Sequence, residues 1–483
     1  MQFLSNVRLR CGHTPRVDIP TSTPSEQGAD PAGIAAFVDA LEHDPRLEPH
    51  GLIIQRHGHR IAEAYWAPHR AGELRLVYSL SKTFTGTALG LQLGEGRLSL
   101  DDLVTEHFPA ETADVTDSRT ASMRVRHLAS MATGHDREML IDALVADPTD
   151  VVGAFFHLPP PQDPGTVFAY NQPPVLALAT LLQRLAGERL VDYLRPRVLD
   201  PLGIADLRWH QHRPGIDLGF SGVFTDLDAI ARLGQLHLDD GVWDGVRLLP
   251  PGWVEQASRP QVANPNEPEV DWRQGYGFQL WMCRHGYRGD GAYGQFMVVL
   301  PEQDAVLALF SGNEDMQAIL DHAWVHLLPA LGDQVRSPGP GDEALADHLR
   351  GLSLPTATTR VGGTPGTIEP GRFTPAPPRG RSHRTITAVD VASDHVVLHE
   401  ADDVAITVPL GGGWTDVPDH PISASAALDR EGRLVVDLVP RATPHRLELT
   451  VDPGSGTFDP RWPSVPLFGG GIDPPLAGMR PPP

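Results

Sequence analysis

Residues Tyr78 to Leu93 read Y-S-L-S-K-T-F-T-G-T-A-L-G-L-Q-L, and this stretch decides the fold. Leu80, Phe84, Ala88 and Leu91 recur at helical spacing and predict one apolar face. Gly86, Ala88 and Gly90 are small, which suits a helix packed closely on all sides, and Gly94 and Gly96 supply a stop. Lys82 is the only lysine among 483 residues; the other 38 of the 39 basic side chains are arginine. A chain that replaces lysine with arginine elsewhere keeps it where guanidinium will not serve. Arginine stays charged, whereas a desolvated amine can lose its proton and act as a base. Ser79 stands three residues upstream, on the same helix face and within hydrogen-bond reach of that amine. A hydroxyl at the start of a buried helix also lies near the positive end of the helix dipole, where a developing anion is favoured.

Working outward, the length allows two domains, one of them large. The net charge of −22, from 39 basic and 61 acidic residues, argues against nucleic acid or an anionic membrane as partner. No long apolar run marks a membrane span, and the first residues lack the apolar core of an export signal, so a cytoplasmic location is expected. Cys11 and Cys283 are the only thiols, and their wide separation fits a reducing compartment. The 22 histidines form no H-E-x-x-H and no ligand set with cysteine, and His57 and His59 sit in a hairpin-like R-H-G-H-R. No phosphate-binding glycine loop precedes Lys82. No metal and no cofactor is expected.

Residues 1–30 read as a polar N-terminal arm. Asp30 followed by Pro31 is a helix start, and Ile34, Phe37, Val38 and Leu41 mark the inward face of that helix. G-L-I-I-Q-R and R-I-A-E-A-Y-W then predict an antiparallel hairpin around H-G-H. The region to about Trp253 is mostly helical. Strands are predicted at Y-G-F-Q-L-W, A-Y-G-Q-F-M-V-V-L-P and A-V-L-A-L-F-S, with a closing helix from about Asp315 to Leu331. Both ends of residues 31–333 thus supply strands and the middle supplies helices. The expected fold is α/β: an antiparallel sheet with flanking helices and a docked helical insertion, the cleft between them being the natural site. Residues 334–365 read as a linker with one short helix. Residues 366–483 alternate in the manner of a separate all-β domain and end in a proline-rich tail.

The segments L-V-Y-S-L-S-K-T-F-T-G-T-A-L-G, P-G-T-V-F-A-Y-N-Q, D-P-L-G-I and R-G-D-G-A-Y-G-Q-F-M-V-V-L-P-E-Q-D occur in that order. With them the first two-thirds of the chain resembles the serine β-lactamase and DD-peptidase superfamily, and within it the class C β-lactamase-related serine hydrolases. The resemblance implies Ser79 as nucleophile, Lys82 as the group that deprotonates it, and Tyr170 as the tyrosine of a Y-x-N motif that relays a proton to the leaving group. It also implies an oxyanion hole from the backbone amides of Ser79 and Ala292.

Two motifs depart from the family. Y-N-Q puts Gln172 where asparagine is usual, with Asn171 one residue earlier as a second amide. Where the family carries K-T-G or H-x-G on a strand lining the cleft, this chain has Gly289, Asp290 and Gly291; the glycines fit that strand and a tight turn equally. Arg288 or His285 remains to offer positive charge to a substrate carboxylate. Without the family's cation, esterase or amidase activity on a small-molecule substrate is expected ahead of β-lactam hydrolysis. An acyltransferase, a D-amino-acid peptidase and a non-catalytic ligand-binding homologue are the alternatives. An α/β-hydrolase is not, since Ser221 in G-F-S-G-V misses the G-x-S-x-G elbow. For the C-terminal domain three roles stay open: covering the cleft, pairing copies into a homo-oligomer, or binding a ligand.

Overall fold

The computed structural model describes residues 18–401, 404–467 and 475–482. Most of the expected arm, residues 1–17 with Cys11, lies outside the described residues, as does 468–474 of the proline-rich tail. Helix α1 (Pro31–His43) starts as its sequence predicts, with the Asp30 carboxylate accepting from the Ala32 amide at 3.1 Å and Pro31 in the first turn. Strands β1 (Pro49–Arg56) and β2 (His59–Tyr65) form the expected hairpin. His57 and Gly58 both have positive φ, the turn whose twist matches that of paired strands.

Helix α2 (Ser81–Gly94) opens the helical block, which includes α3 (Gln172–Ala186) and α4 (Leu227–Leu238). Then come β3 (Trp281–Cys283), β4 (Gly286–Gly291), β5 (Gln295–Leu300) and β6 (Ala305–Ser311), followed by α5 (Met316–His322). These strands and the first hairpin make one antiparallel sheet in the order β3-β4-β5-β6-β1-β2. Strand β1 is buried along its whole length because helices cover both faces. Ile53, Met297, Val299 and Ala308 face α2 and α4, whereas Leu52, Ile54, Val298 and Leu307 face α1 and α5. One expected strand, Y-G-F-Q-L-W, starts late: Tyr276–Leu280 bends, with Gln279 at φ +62°, and only Trp281 enters β3. The Gly277 amide bonds the Leu280 carbonyl at 2.8 Å, and Phe278 stacks on Trp253, so burial against the helical block overrides the alternating pattern.

Between the two bodies lie two helices rather than one, α6 (Pro340–Arg350) and α7 (Ala357–Val361). Leu345 and Leu349 of α6 join the apolar core beneath α1. Beyond them, β7 (Gly371–Pro375), β8 (Ile386–Val391), β9 (His395–Glu400), β10 (Ala405–Pro409), β11 (Thr415–Asp416), β12 (Ile422–Leu428), β13 (Leu434–Pro440), β14 (Leu447–Asp452) and β15 (Thr457–Arg461) form a nine-stranded sheet. Its order is β10-β9-β8-β7-β15-β14-β13-β12-β11, parallel only between β7 and β15. The sheet curls around its own apolar core into a nearly closed barrel. The β-lactamase-like α/β arrangement with a C-terminal β domain is therefore the architecture observed. Among the described residues, no helix is long and apolar enough to cross a membrane.

Candidate active site

Ser79 sits in a single 3₁₀ turn, Tyr78–Leu80, just ahead of α2. The turn is pinned by Ser81, whose hydroxyl donates to the Tyr78 carbonyl at 2.6 Å and accepts from the Val223 amide at 3.0 Å. Ser79 is left partly exposed while Lys82, one turn on, is buried. The small residues of α2 permit this depth: a Cβ on Gly90 would fall 2.4 Å from the Trp253 indole, and one on Gly94 would fall 2.3 Å from Pro250.

The Lys82 Nζ lies 3.1 Å from the Ser79 Oγ, 2.8 Å from the Gln172 Oε1 and 2.8 Å from the Phe220 carbonyl, which uses all three of its donor positions. It also lies 4.7 Å from the centre of the Tyr170 ring. Burial pulls the amine down to about 7, against the opposing fields of Glu138 and Asp290. Near neutral pH about half the molecules hold an uncharged amine with a lone pair beside a hydroxyl. Tyr170 stacks on Trp281 at 5.2 Å and meets Tyr276 edge-on. Burial and the Asp290 carboxylate raise its phenol above the usual range, while a hydrogen bond with Ser79 opposes them. The phenol therefore stays protonated and available as a donor.

The two amides of Y-N-Q divide their work. Gln172, the first residue of α3, accepts from Lys82, and its own amide is capped by the Glu138 carboxylate at 3.2 Å. Asn171 turns the other way and accepts from the Met139 amide at 3.0 Å, holding the preceding loop.

Gly289, Asp290 and Gly291 lie in strand β4, not in a turn. The glycines are needed for approach: a Cβ on Gly291 would stand 2.0 Å from the Val77 carbonyl, and one on Gly289 would stand 2.2 Å from the Thr83 hydroxyl. Strand β4 is thereby pressed against the turn that carries Ser79, and the next residue, Ala292, is partly exposed beside it. Arg288 does not present an open cation. It is fully buried, paired with Asp290 at 3.1 Å, bonded to the Asp271 and Met282 carbonyls, and laid 4.1 Å over the Trp272 ring. His285 lies at the β3–β4 turn against Trp324. The expected positive charge for a substrate carboxylate is thus internally neutralised, and burial pushes the Asp290 carboxyl up.

Sequence reasoning missed the Phe220 carbonyl, Glu138 and the aromatic wall of Trp281 and Tyr276. For metal ligation, Asp39, Glu42 and His348 come together among the described residues, on α1 and α6. They are exposed or half-exposed, and an Asp39–His348 ion pair at 3.2 Å accounts for the grouping.

Fold and site together define a serine hydrolase of the β-lactamase and penicillin-binding-protein class. The chain belongs to the β-lactamase family, whose pattern it matches over residues 34–327. It is 27% identical over 329 residues to the 6-aminohexanoate-dimer hydrolase of Paenarthrobacter ureafaciens, covering 62% of this chain and 83% of that one. Among solved structures it resembles EstCE1, a hydrolase with promiscuous acyltransferase activity, with a TM-score of 0.50 at 17% identity over 61% of this chain and 99% of that one. It also resembles SurE with D-Leu, with a TM-score of 0.50 at 18% identity over 89% of this chain and 98% of that one.

Proposed function

We propose that the protein cleaves a small amide or ester through an acyl-serine intermediate. The observation that carries this reading is the Lys82 amine, buried and held to about 7, at 3.1 Å from the Ser79 hydroxyl. Ser79 Oγ attacks the substrate carbonyl carbon as its proton passes to Nζ. The carbonyl oxygen, now an anion, is held by the amides of Ser79 and Ala292; a donor of this kind is worth about 100- to 1,000-fold in rate. The C–N or C–O bond then breaks, and the leaving group takes a proton through Tyr170, which Lys82 replenishes. Water attacks the acyl-enzyme by the same route in reverse, releasing the acid and restoring Ser79. Gln172 holds Lys82 in place.

The similarity to 6-aminohexanoate-dimer hydrolase supports a linear amide as substrate, and the sealing of Arg288 by Asp290 disfavours a β-lactam carboxylate. A second reading, acyl transfer to an amine, is supported by the likeness to EstCE1, a hydrolase with promiscuous acyltransferase activity. The likeness to SurE with D-Leu, which extends over both domains, suggests a D-amino acid as the amine to try. Incubation with a fluorophosphonate should label Ser79, and Ser79→Ala should abolish labelling and turnover of a p-nitrophenyl ester together. Equal labelling of the Ala variant would remove the assignment. A panel of linear aminoacyl amides, short esters and nitrocefin, with and without D-leucine as acceptor, separates the two readings.

A further inference from the structure

Both residues expected to supply the oxyanion hole are flanked by a tyrosine with left-handed backbone. Tyr78, at φ +47°, precedes Ser79, and Tyr293, at φ +68°, follows Ala292. A bulky residue in this region is strained and persists only where its surroundings hold it. The two rings meet edge to face at 5.3 Å, and both pack on His445 of the β domain, at 5.9 and 4.6 Å. The Tyr78 hydroxyl bonds the His445 Nε2 at 2.7 Å and also receives the Leu467 amide, while the Tyr293 hydroxyl donates to the Val465 carbonyl. Two residues before Tyr78, the Leu76 amide bonds the Ala442 carbonyl at 2.9 Å. His445 in turn rests on Trp462. It is buried and held neutral; its Nδ1 faces Ser464, and the Tyr78 oxygen already receives the Leu467 amide, so the phenol proton is directed at Nε2. All these outer partners belong to the C-terminal domain, far from Ser79 in sequence.

We propose that the C-terminal β domain is a working part of the active site, with His445 the positioning residue that fixes the oxyanion hole through Tyr78 and Tyr293. This rests on the acyl-serine reading above. The Tyr78–Ser79 peptide carries one of the two donors, so locking the Tyr78 ring sets the direction of that N–H. The second donor lies between Gly291, wedged against the Val77 carbonyl, and Tyr293, anchored to the β domain. The hole is then assembled only when the barrel is seated.

The test is steady-state hydrolysis of a p-nitrophenyl ester together with the affinity of an arylboronic acid, which forms a tetrahedral adduct at a reactive serine. His445→Ala should lower kcat about 10- to 1,000-fold with KM within threefold, and weaken the boronate in parallel. His445→Gln, whose side-chain carbonyl can still accept from Tyr78, should recover most of the loss. Tyr78→Phe deletes only the hydroxyl and should give the same kcat-selective loss even where His445→Ala folds poorly. Arg372→Ala breaks an exposed ion pair with Asp390 inside the β domain, away from this cluster, and should leave kcat unchanged. Full kcat in a folded His445→Ala or Tyr78→Phe variant would overturn the proposal, as would equal losses in the Ala and Gln variants. Turnover that survives Ser79→Ala would instead defeat the acyl-serine reading.

Discussion

Replacing Lys82 tests the centre of the mechanism, because the side chain combines a cost in stability with a gain in chemistry. Its amine ordinarily titrates at 10.5 and here at about 7. That difference, roughly 3.5 decades at ~1.4 kcal/mol each, is on the order of 5 kcal/mol for carrying the buried charge. The unfolded chain binds more protons between about 7 and 10.5, so stability rises with pH across that window, and the cost is fully present below it. Lys82→Met removes this cost at pH 6.5 but leaves the Gln172 oxygen and the Phe220 carbonyl without their donor, at about 1 kcal/mol or more each. A net gain of ~2–3 kcal/mol is expected in urea titration, with activity lost by at least about 1,000-fold. Lys82→Arg keeps a charge that cannot be shed and should be inactive as well as less stable than the natural chain. In the natural protein kcat/KM should fall tenfold per pH unit below about 7, the neutral amine dropping from ~90% at pH 8 to ~10% at pH 6. A flat profile from pH 5 to 9, or an Arg variant above a tenth of natural kcat/KM, would refute the basic role.

Two further outcomes follow from the packing of β4. Gly291→Ala sets a methyl against the Val77 carbonyl, a backbone atom that cannot rotate away, and should cost at least about 100-fold in kcat/KM with a lower thermal midpoint. Gly289→Ala meets the Thr83 hydroxyl, a side-chain atom rather than backbone, and should be milder; a reversed ranking would contradict the close approach. Arg288→Met leaves the Asp290 carboxylate buried without its partner and should destabilise by about 3–5 kcal/mol in denaturant titration, most of it recovered on adding Asp290→Asn. A loss under about 1 kcal/mol would mean that the pair is not sealed from water.

The sequence made the sheet and α2 legible because their signals are local: small and large residues at helical spacing around Lys82, and two short β runs either side of the H-G-H turn in β1 and β2. Where tertiary packing overrode local pattern, at Tyr276–Leu280, alternation placed the strand too early, and it begins only at Trp281. The approach of Lys82 to Ser79 could be read from a three-residue offset on one helix face. Its contact with Gln172 crosses 90 residues; likeness to Y-x-N brought that amide to the site as a substrate-positioning group, not as a partner of the amine. The Phe220 carbonyl was beyond reach, since a backbone acceptor leaves no mark on side-chain identity. The Tyr78–His445 bond spans 367 residues, and nothing in either local sequence announces the other.

The burial of the single lysine has a practical consequence for chemical modification. Acylating, aldehyde and crosslinking reagents that seek side-chain amines find none on the outside of this molecule, because Lys82 is 1% exposed. A compound that does modify the lysine must first enter the cleft, so an adduct mapped to Lys82 would report occupancy of that cleft. Amine-directed immobilisation through lysine would correspondingly destroy the very group it captures.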